Sequence, residues 1–253
     1  MWMILSGAKS PRDFGFFQAE RELFDTKMIK KAGLKGQLTL WPVLVEGREV
    51  DVDVFITVYG EPLAKIRATA AAALQIEGRH RTWILDDGRS DDVRALADEL
   101  GCFYIRRLSS NGAKAGNINH ALSIAKGDFF CVFDADFVPH PDFLVETIPF
   151  FVDTTVAFVQ TPQAHGNLVN LISRGAGYMQ AVFYTFVQPG RNHCNAAFCV
   201  GTNVIYRRSA INDVGGIDTD SKSEDLWTSL LVLQHRRRGS GFSRRRSPPA
   251  GTP

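Results

Sequence analysis

No stretch of the 253 residues approaches the run of about 18 apolar residues that reads as a membrane span. Met1–Leu5 is too short for a secretory signal and lacks a basic start. Cysteine is scarce, and Cys102, Cys131, Cys194 and Cys199 form no Cys-x-x-Cys pair. His193 stands beside Cys194, but the spacing to Cys199 fits no common zinc site, so these read as buried free thiols in a reducing compartment. A large basic excess is also missing. The net charge of +2 argues against nucleic acid as the main partner. Neither a Walker loop nor a Gly-x-Gly-x-x-Gly after the first predicted strand occurs, which counts against a P-loop enzyme and a dinucleotide-dependent oxidoreductase. What is present is 45% hydrophobic residues in a length that suits one large α/β domain.

The small net charge hides an asymmetry. Six arginines lie at 236–238 and 244–246, and no acid follows Asp225. Setting those six aside leaves 23 basic and 27 acidic residues, a body of about −4. Residues 236–253 therefore read as a disordered basic tail, because Arg, Ser, Gly and Pro bury too little to fold. So abrupt a change is what a shifted reading frame or a misplaced gene end produces. The rival reading is a genuine basic tail that binds anionic lipid.

Residues 1–49 form a leader in which Gln18–Lys31 is predicted as a charged helix. Its Phe16, Phe17, Leu23 and Phe24 must either bury or dock on a partner. From residue 50 to 235 the pattern is regular and defines the main domain. Val52–Val58 is a predicted strand. Pro62 opens a helix whose Leu63, Ile66, Ala70 and Leu74 follow at helical spacing. Thr82–Leu85 is a short strand. Ser90 caps a helix with the stripe Val93, Leu96, Ala97 and Leu100, stopped by Gly101. Cys102–Ile105 is a third strand. Ile118, Ala121, Leu122 and Ala125 mark a helix closed by Gly127, and Phe129–Phe133 is a central strand covered on both faces. Strands alternating with helices predict a mostly parallel sheet with helices on both faces, and ligands bind such sheets beyond the carboxyl ends of the strands.

Acids collect at those ends: Glu61, then Asp86 and Asp87, then Asp134 and Asp136. In Asp134-Ala135-Asp136 alternate side chains point the same way, so both carboxylates can face one hard divalent cation, Mg²⁺ or Mn²⁺. Two solvated turn acids would look the same in isolation. Asp86-Asp87-Gly88 can accept from a ribose or base, or can be an ordinary turn. Residues 111–117, Asn-Gly-Ala-Lys-Ala-Gly-Asn, form a loop of small residues before a helix, and Lys114 there suits an anion. Ser223-Glu224-Asp225 reads either as the cap of a helix over 226–233 or as the holder of a general base. Gly201-Thr202-Asn203 and Gly215-Gly216 read as tight turns bordering a pocket.

Taken in order with Gln160-Thr161-Pro162-Gln163, this set resembles the family 2 glycosyltransferases, and most of all the bacterial cellulose synthase catalytic subunit. The resemblance spans about residues 50–235. It implies a GT-A fold and a UDP-sugar donor, with glucose as the first choice of sugar. Glu61 and Asp87 then lie around the uridine, Lys114 and Gln163 join the donor site, and Asp134 and Asp136 bind UDP and the metal. Asp225 matches the family's catalytic base, with serine where the family usually has threonine two residues earlier. The implied partners are the UDP-sugar, a polysaccharide acceptor and a membrane-embedded synthase complex at the cytoplasmic face of the inner membrane. A chain without an apolar span reads as cytoplasmic by itself. The Gln-x-x-Arg-Trp of processive members is not found after Ser223-Glu224-Asp225, so the chain also reads as C-terminally shortened. Two other readings stand beside inverting sugar transfer: an inactive fragment that only binds nucleotide-sugar, and a nucleotidyltransferase on a similar sheet.

Overall fold

A computed structural model describes residues 12–163, 171–235 and 238–240 of the chain. Helices α1 (Phe14–Glu22) and α2 (Thr26–Lys31) come first. The predicted helix over 18–31 is thus two helices. Asp25 causes the break, because its side chain accepts from the backbone N–H groups of Lys27 and Met28 at 2.8 and 3.0 Å and starts a new helix. A hairpin follows, β1 (Val43–Val45) paired with β2 (Arg48–Val50). Phe16 and Leu23 are buried against the main domain, with the Phe16 ring 4.6 Å from that of Phe150. Burial of each contributes roughly 1.5–3 kcal/mol. Phe16 and Leu23 of the leader therefore dock on the chain itself, and Phe24 packs against the same core, whereas Phe17 stays exposed.

The central strand β3 (Val52–Val58) is buried along its whole length. Then come α3 (Leu63–Ala73), β4 (Arg81–Asp86), α4 (Asp91–Leu100), β5 (Phe103–Arg106), α5 (Ala113–Ile124) and β6 (Phe129–Asp134). Ser90 caps α4, and Gly101 ends it in the left-handed region at φ 73°. The second half contains α6 (Phe143–Thr147), β7 (Val156–Gln160), α7 (Leu171–Val182), α8 (Gln188–His193), β8 (Val204–Arg207), α9 (Arg208–Asp213), α10 (Glu224–Gln234) and β9 (Arg238–Ser240). A single π-helical turn joins α7 to α8.

Seven strands form one sheet in the order β5-β4-β3-β6-β8-β7-β9. β3, β4, β5 and β6 are parallel, and only β8 runs against its neighbours β6 and β7. The sheet is therefore mixed but mostly parallel. Alternation along the strands divides the core in two. Val54, Ile56 and Val58 face one layer with Ile66 and Ala70 of α3, Leu96 of α4, and Phe16 and Leu23. Phe55, Phe130 and Val132 face the other with Ile118 and Ala121 of α5, Ile211 of α9 and Val232 of α10.

Four local expectations are corrected. The helix α5 begins at Ala113, so Lys114 sits in its first turn rather than in a loop, and Gly112 makes the entry at φ 70°. Gly127 does not close that helix. It lets the backbone approach the buried Asp53, whose Oδ2 accepts from Gly127 N–H at 2.7 Å and would stand 2.6 Å from an added Cβ. Ser223 makes no side-chain cap, and α10 starts at Glu224. Arg238–Ser240 of the predicted tail pair with β7 as an edge strand, which requires backbone groups rather than apolar side chains. The rest of the tail lies outside the described residues.

Candidate active site

The carboxyl ends of β3, β4 and β6 lie side by side, with Val58 in register with Asp86 and Thr57 with Asp134. Asp87 N–H donates to Val58 O at 3.0 Å, and a Cβ on Gly88 would stand 3.2 Å from Gly60 N. The turn after β4 therefore rests on the turn that carries Glu61. Glu61 is half-buried, and its Oε2 accepts from Tyr59 N–H at 2.7 Å.

The two neighbouring aspartates have separate tasks. Asp86 is buried and its carboxylate is taken up by the turn after β4 and by Tyr104: Oδ1 accepts from Arg89 N–H at 2.9 Å, and Oδ2 accepts from Ser90 N–H and the Tyr104 hydroxyl, each at 2.7 Å. Burial and the Asp86 carboxylate push the Tyr104 hydroxyl up to about 12, so it remains a donor. Asp87 is also buried and meets the Arg107 guanidinium in a two-point pair, both contacts at 2.5 Å. Arg107 reaches on to the carbonyls of Asn111 and Ala113 at 2.5 and 2.6 Å. It thereby fixes the turn that launches α5 and Lys114. Gly116 is required there, since a Cβ would come within 2.1 Å of Asn111 O, the carbonyl that Arg107 holds.

Lys114 forms an ion pair with Asp134 and donates to Gly201 O at 2.6 Å. Asp134 is held from both sides: Thr57 Oγ1 donates to its Oδ1 at 3.1 Å, and its own N–H donates to Thr202 Oγ1 at 2.9 Å. Ala135 is buried, and its carbonyl accepts from Thr69 on α3 at 2.8 Å. Asp134 is half-buried and Asp136 exposed, and no hydrogen bond or ion pair among the described residues engages the Asp136 carboxylate. Asp225 stands in the first turn of α10 with Oδ1 accepting from Leu226 N–H at 2.7 Å. A methyl group on Gly201 would lie 3.4 Å from Asp225 Oδ2 and 3.6 Å from Lys114 Nζ. Lys114, Asp134 and Asp225, drawn from three segments far apart in the chain, thus meet around Gly201.

Gln163 accepts from Gln180 Nε2 at 3.0 Å. Its neighbour Gln160 is buried and ties β7 to the Gly201 loop. Its Nε2 donates to Thr202 O at 2.9 Å, and its Oε1 accepts from Val200 N–H at 2.9 Å. Two residues of the site escape a reading by motif: Arg107 and Thr57. Arg107 was within reach, because it follows β5 at a strand end, as the acids follow theirs. Thr57 acts through Asp134, 77 positions away. Gln160 and Thr202 lie in motifs read from the sequence, but their ties to each other and to Asp134 span 42 and 68 positions. Of the cysteines, Cys102, Cys131 and Cys199 are buried but Cys194 is exposed, which corrects its reading as a buried thiol. Burial pushes the Cys199 thiol up to about 12.

A mostly parallel sheet with helices on both faces, its polar residues gathered beyond the strand ends, has the GT-A glycosyltransferase architecture. A mannosyltransferase from Pyrobaculum calidifontis, solved with GDP-Man and Mn²⁺, superposes with a TM-score of 0.62 at 16% identity, covering 93% of this chain and 64% of that one. S. aureus TarS superposes with a TM-score of 0.50 at 16% identity, covering 72% of this chain and 33% of that one. The profile of glycosyl transferase family 2 matches residues 53–215, and the chain belongs to that family. It is 35% identical over 224 residues to the cellulose synthase catalytic subunit (UDP-forming) of Xanthomonas axonopodis pv. citri, covering 82% of this chain and 28% of that protein. It is 38% identical over 209 residues to putative cellulose synthase 2 of Komagataeibacter xylinus, covering 79% of this chain and 14% of that protein. The chain thus spans less than a third of the length of these relatives. Among the described residues no helix is long and apolar enough to cross a membrane.

Proposed function

We infer that the chain moves a sugar, glucose in the first instance, from a UDP-sugar to a growing polysaccharide of the cellulose or β-glucan type, with inversion at the anomeric carbon. The observation that carries this reading is the meeting of Lys114, Asp134 and Asp225 around Gly201 at the strand ends. Glu61 and Asp87 flank the uridine, Gln163 completes the donor site, and the Lys114 ammonium offers its charge to the diphosphate. Asp134 and Asp136 suit a hard divalent ion, Mg²⁺ or Mn²⁺, because both are oxygen donors on either side of the buried Ala135. No group of three or more His, Cys, Asp or Glu gathers among the described residues, so the diphosphate oxygens would complete the ion's shell. Such an ion offsets the charge that grows on departing UDP. Asp225 takes the proton of the acceptor hydroxyl as the oxygen attacks the anomeric carbon from the face opposite UDP. Its Oδ2, with no hydrogen bond among the described residues, is the oxygen turned toward Gly201. The resemblance to cellulose synthase implies that the chain works in a membrane-embedded synthase complex at the cytoplasmic face of the inner membrane. A donor panel tests the reading: Mn²⁺-dependent UDP release from UDP-glucose, with linkage analysis of the product, is expected. Pyrophosphate release from a nucleoside triphosphate, without UDP release from any UDP-sugar, would sink it.

A further inference from the structure

Asn119 lies on α5, one turn and a residue beyond Lys114, and its side-chain amide grips one backbone residue at two points. Its Oδ1 accepts from Ile217 N–H at 2.8 Å and its Nδ2 donates to Ile217 O at 2.7 Å. The grip needs Gly216, which has φ 114° and where a Cβ would stand 2.8 Å from Asn119 Oδ1. The next residue, Asp218, donates its N–H to Thr228 Oγ1 at 2.9 Å, and Thr228 is buried on α10, one turn after Asp225. Asp218 also steadies its own loop by accepting from Ser221 N–H at 2.9 Å. A continuous path therefore runs from the helix of Lys114 to the helix of Asp225. A second path runs through the Gly201 loop: Lys114 to Gly201 O, then Cys199 N–H to Ser229 Oγ at 2.8 Å, and Ser229 Oγ to Asp225 O at 2.7 Å.

We propose that Asn119 is a positioning residue that, through Ile217, Asp218 and Thr228, sets the distance between the diphosphate-binding Lys114 and the base Asp225. This inference rests on the roles proposed for those two residues. A side chain that merely stabilised the fold would have no reason to clamp, through one loop, the two helices that carry the opposite ends of the reaction. Loss of the clamp leaves each helix in place on the sheet but lets their first turns drift. A misplacement of about 1 Å costs on the order of 10²-fold in rate without touching donor contacts. The expected signature is a fall in kcat with the donor KM and UDP affinity held.

The test uses the full chain, UDP-glucose with Mn²⁺, and cellotetraose as acceptor probe. Asn119→Ala and Thr228→Val, which break the path at its two ends, are each expected to lower transfer about 10- to 100-fold, while UDP affinity by calorimetry stays within about twofold. The double variant is expected to be no worse than the poorer single one, because one path has been cut twice. Thr228→Val keeps shape and volume, so it guards against misfolding of Asn119→Ala. Unchanged kcat in Thr228→Val, additive losses in the double variant, or a loss of UDP affinity that parallels the loss of rate would overturn the proposal. Asp225→Asn in the same assay separates the two levels of inference. If it retains transfer, the reading of the base fails. If it abolishes transfer while the path variants keep full rate, only the positioning role fails.

Discussion

The two halves of the sheet hold their polar residues by different means. On the β3–β4–β5 side the acids stand near the ends of parallel strands; short-range backbone contacts hold Asp86 and Glu61, while Asp87 pairs with Arg107 20 positions on. Asp86 bonds residues 3 and 4 positions ahead, and Glu61 bonds Tyr59 two positions behind. On the β6–β8–β7 side the ties are long-range. Gln160 reaches Thr202 and Val200, Asp134 reaches Thr202, and Lys114 crosses 87 positions to Gly201. In the proposed reading the first half is a nucleotide shelf made by topology, and the second a catalytic corner made by side chains that bridge segments. Substitutions in the first half are therefore expected to act on donor affinity or stability, and those in the second on transfer.

Asp225→Asn gives the largest expected effect. It keeps size and the contact to Leu226 N–H but removes the proton acceptor, so transfer is expected to fall about 10²–10⁴-fold with UDP affinity nearly unchanged. Steady-state UDP release beside calorimetry decides it, and a variant that keeps most of its rate removes Asp225 from the mechanism. Next is Arg107→Met, which leaves Asp87 buried and unpaired. Urea unfolding is expected to show a loss of about 3–5 kcal/mol. A loss below about 1 kcal/mol would mean that water reaches Asp87 and that the shelf is less rigid than the pair implies. Asp136→Ala should weaken Mn²⁺-dependent UDP binding about tenfold, as for one charge-assisted contact of about 1.5 kcal/mol. Identical metal dependence in variant and parent would make the aspartate pair structural. The smallest effect is chemical. One thiol per native chain, Cys194, should react promptly with a disulfide reagent, because burial raises the Cys102 thiol to about 11 and the Cys199 thiol to about 12. Prompt labelling of Cys199 would show that the catalytic corner opens in solution and would blunt the contrast between the halves.

The same contrast explains how much of the molecule was legible. Val52–Val58 was read to the residue, and the strands around 82–85 and 102–105 to within one residue, because each apolar run there is bounded by its own turn and helix signals. Val156–Gln160 and Val204–Arg207 were not read at all, although both are as apolar as β3. No simple strand–helix alternation frames them, and their neighbours in the sheet are not their neighbours in the chain. Asp134, Lys114 and Asp225 were named from motifs, yet nothing in the sequence says that they share Gly201 as a meeting point. Asn119 was invisible for a related reason. A polar residue on a helix gives no local sign of the distant backbone groups it will engage.

The position of β8 has a further consequence for how the chain reaches this state. β6 is complete at residue 134, but its outer neighbour is β8, whose Tyr206 pairs with Phe130. During synthesis the parallel sheet can close early, whereas the open edge of β6 must wait for about 70 more residues to leave the ribosome. β7 is made sooner but cannot dock beside β6 without blocking the place of its antiparallel successor. Late, non-local pairing of this kind slows folding and leaves an apolar strand edge unpaired on the nascent chain. Yield from rapid overexpression should therefore be governed by the time between residues 134 and 207, and slower translation or a chaperone that covers strand edges should recover more folded protein than any change made within β3, β4 or β5.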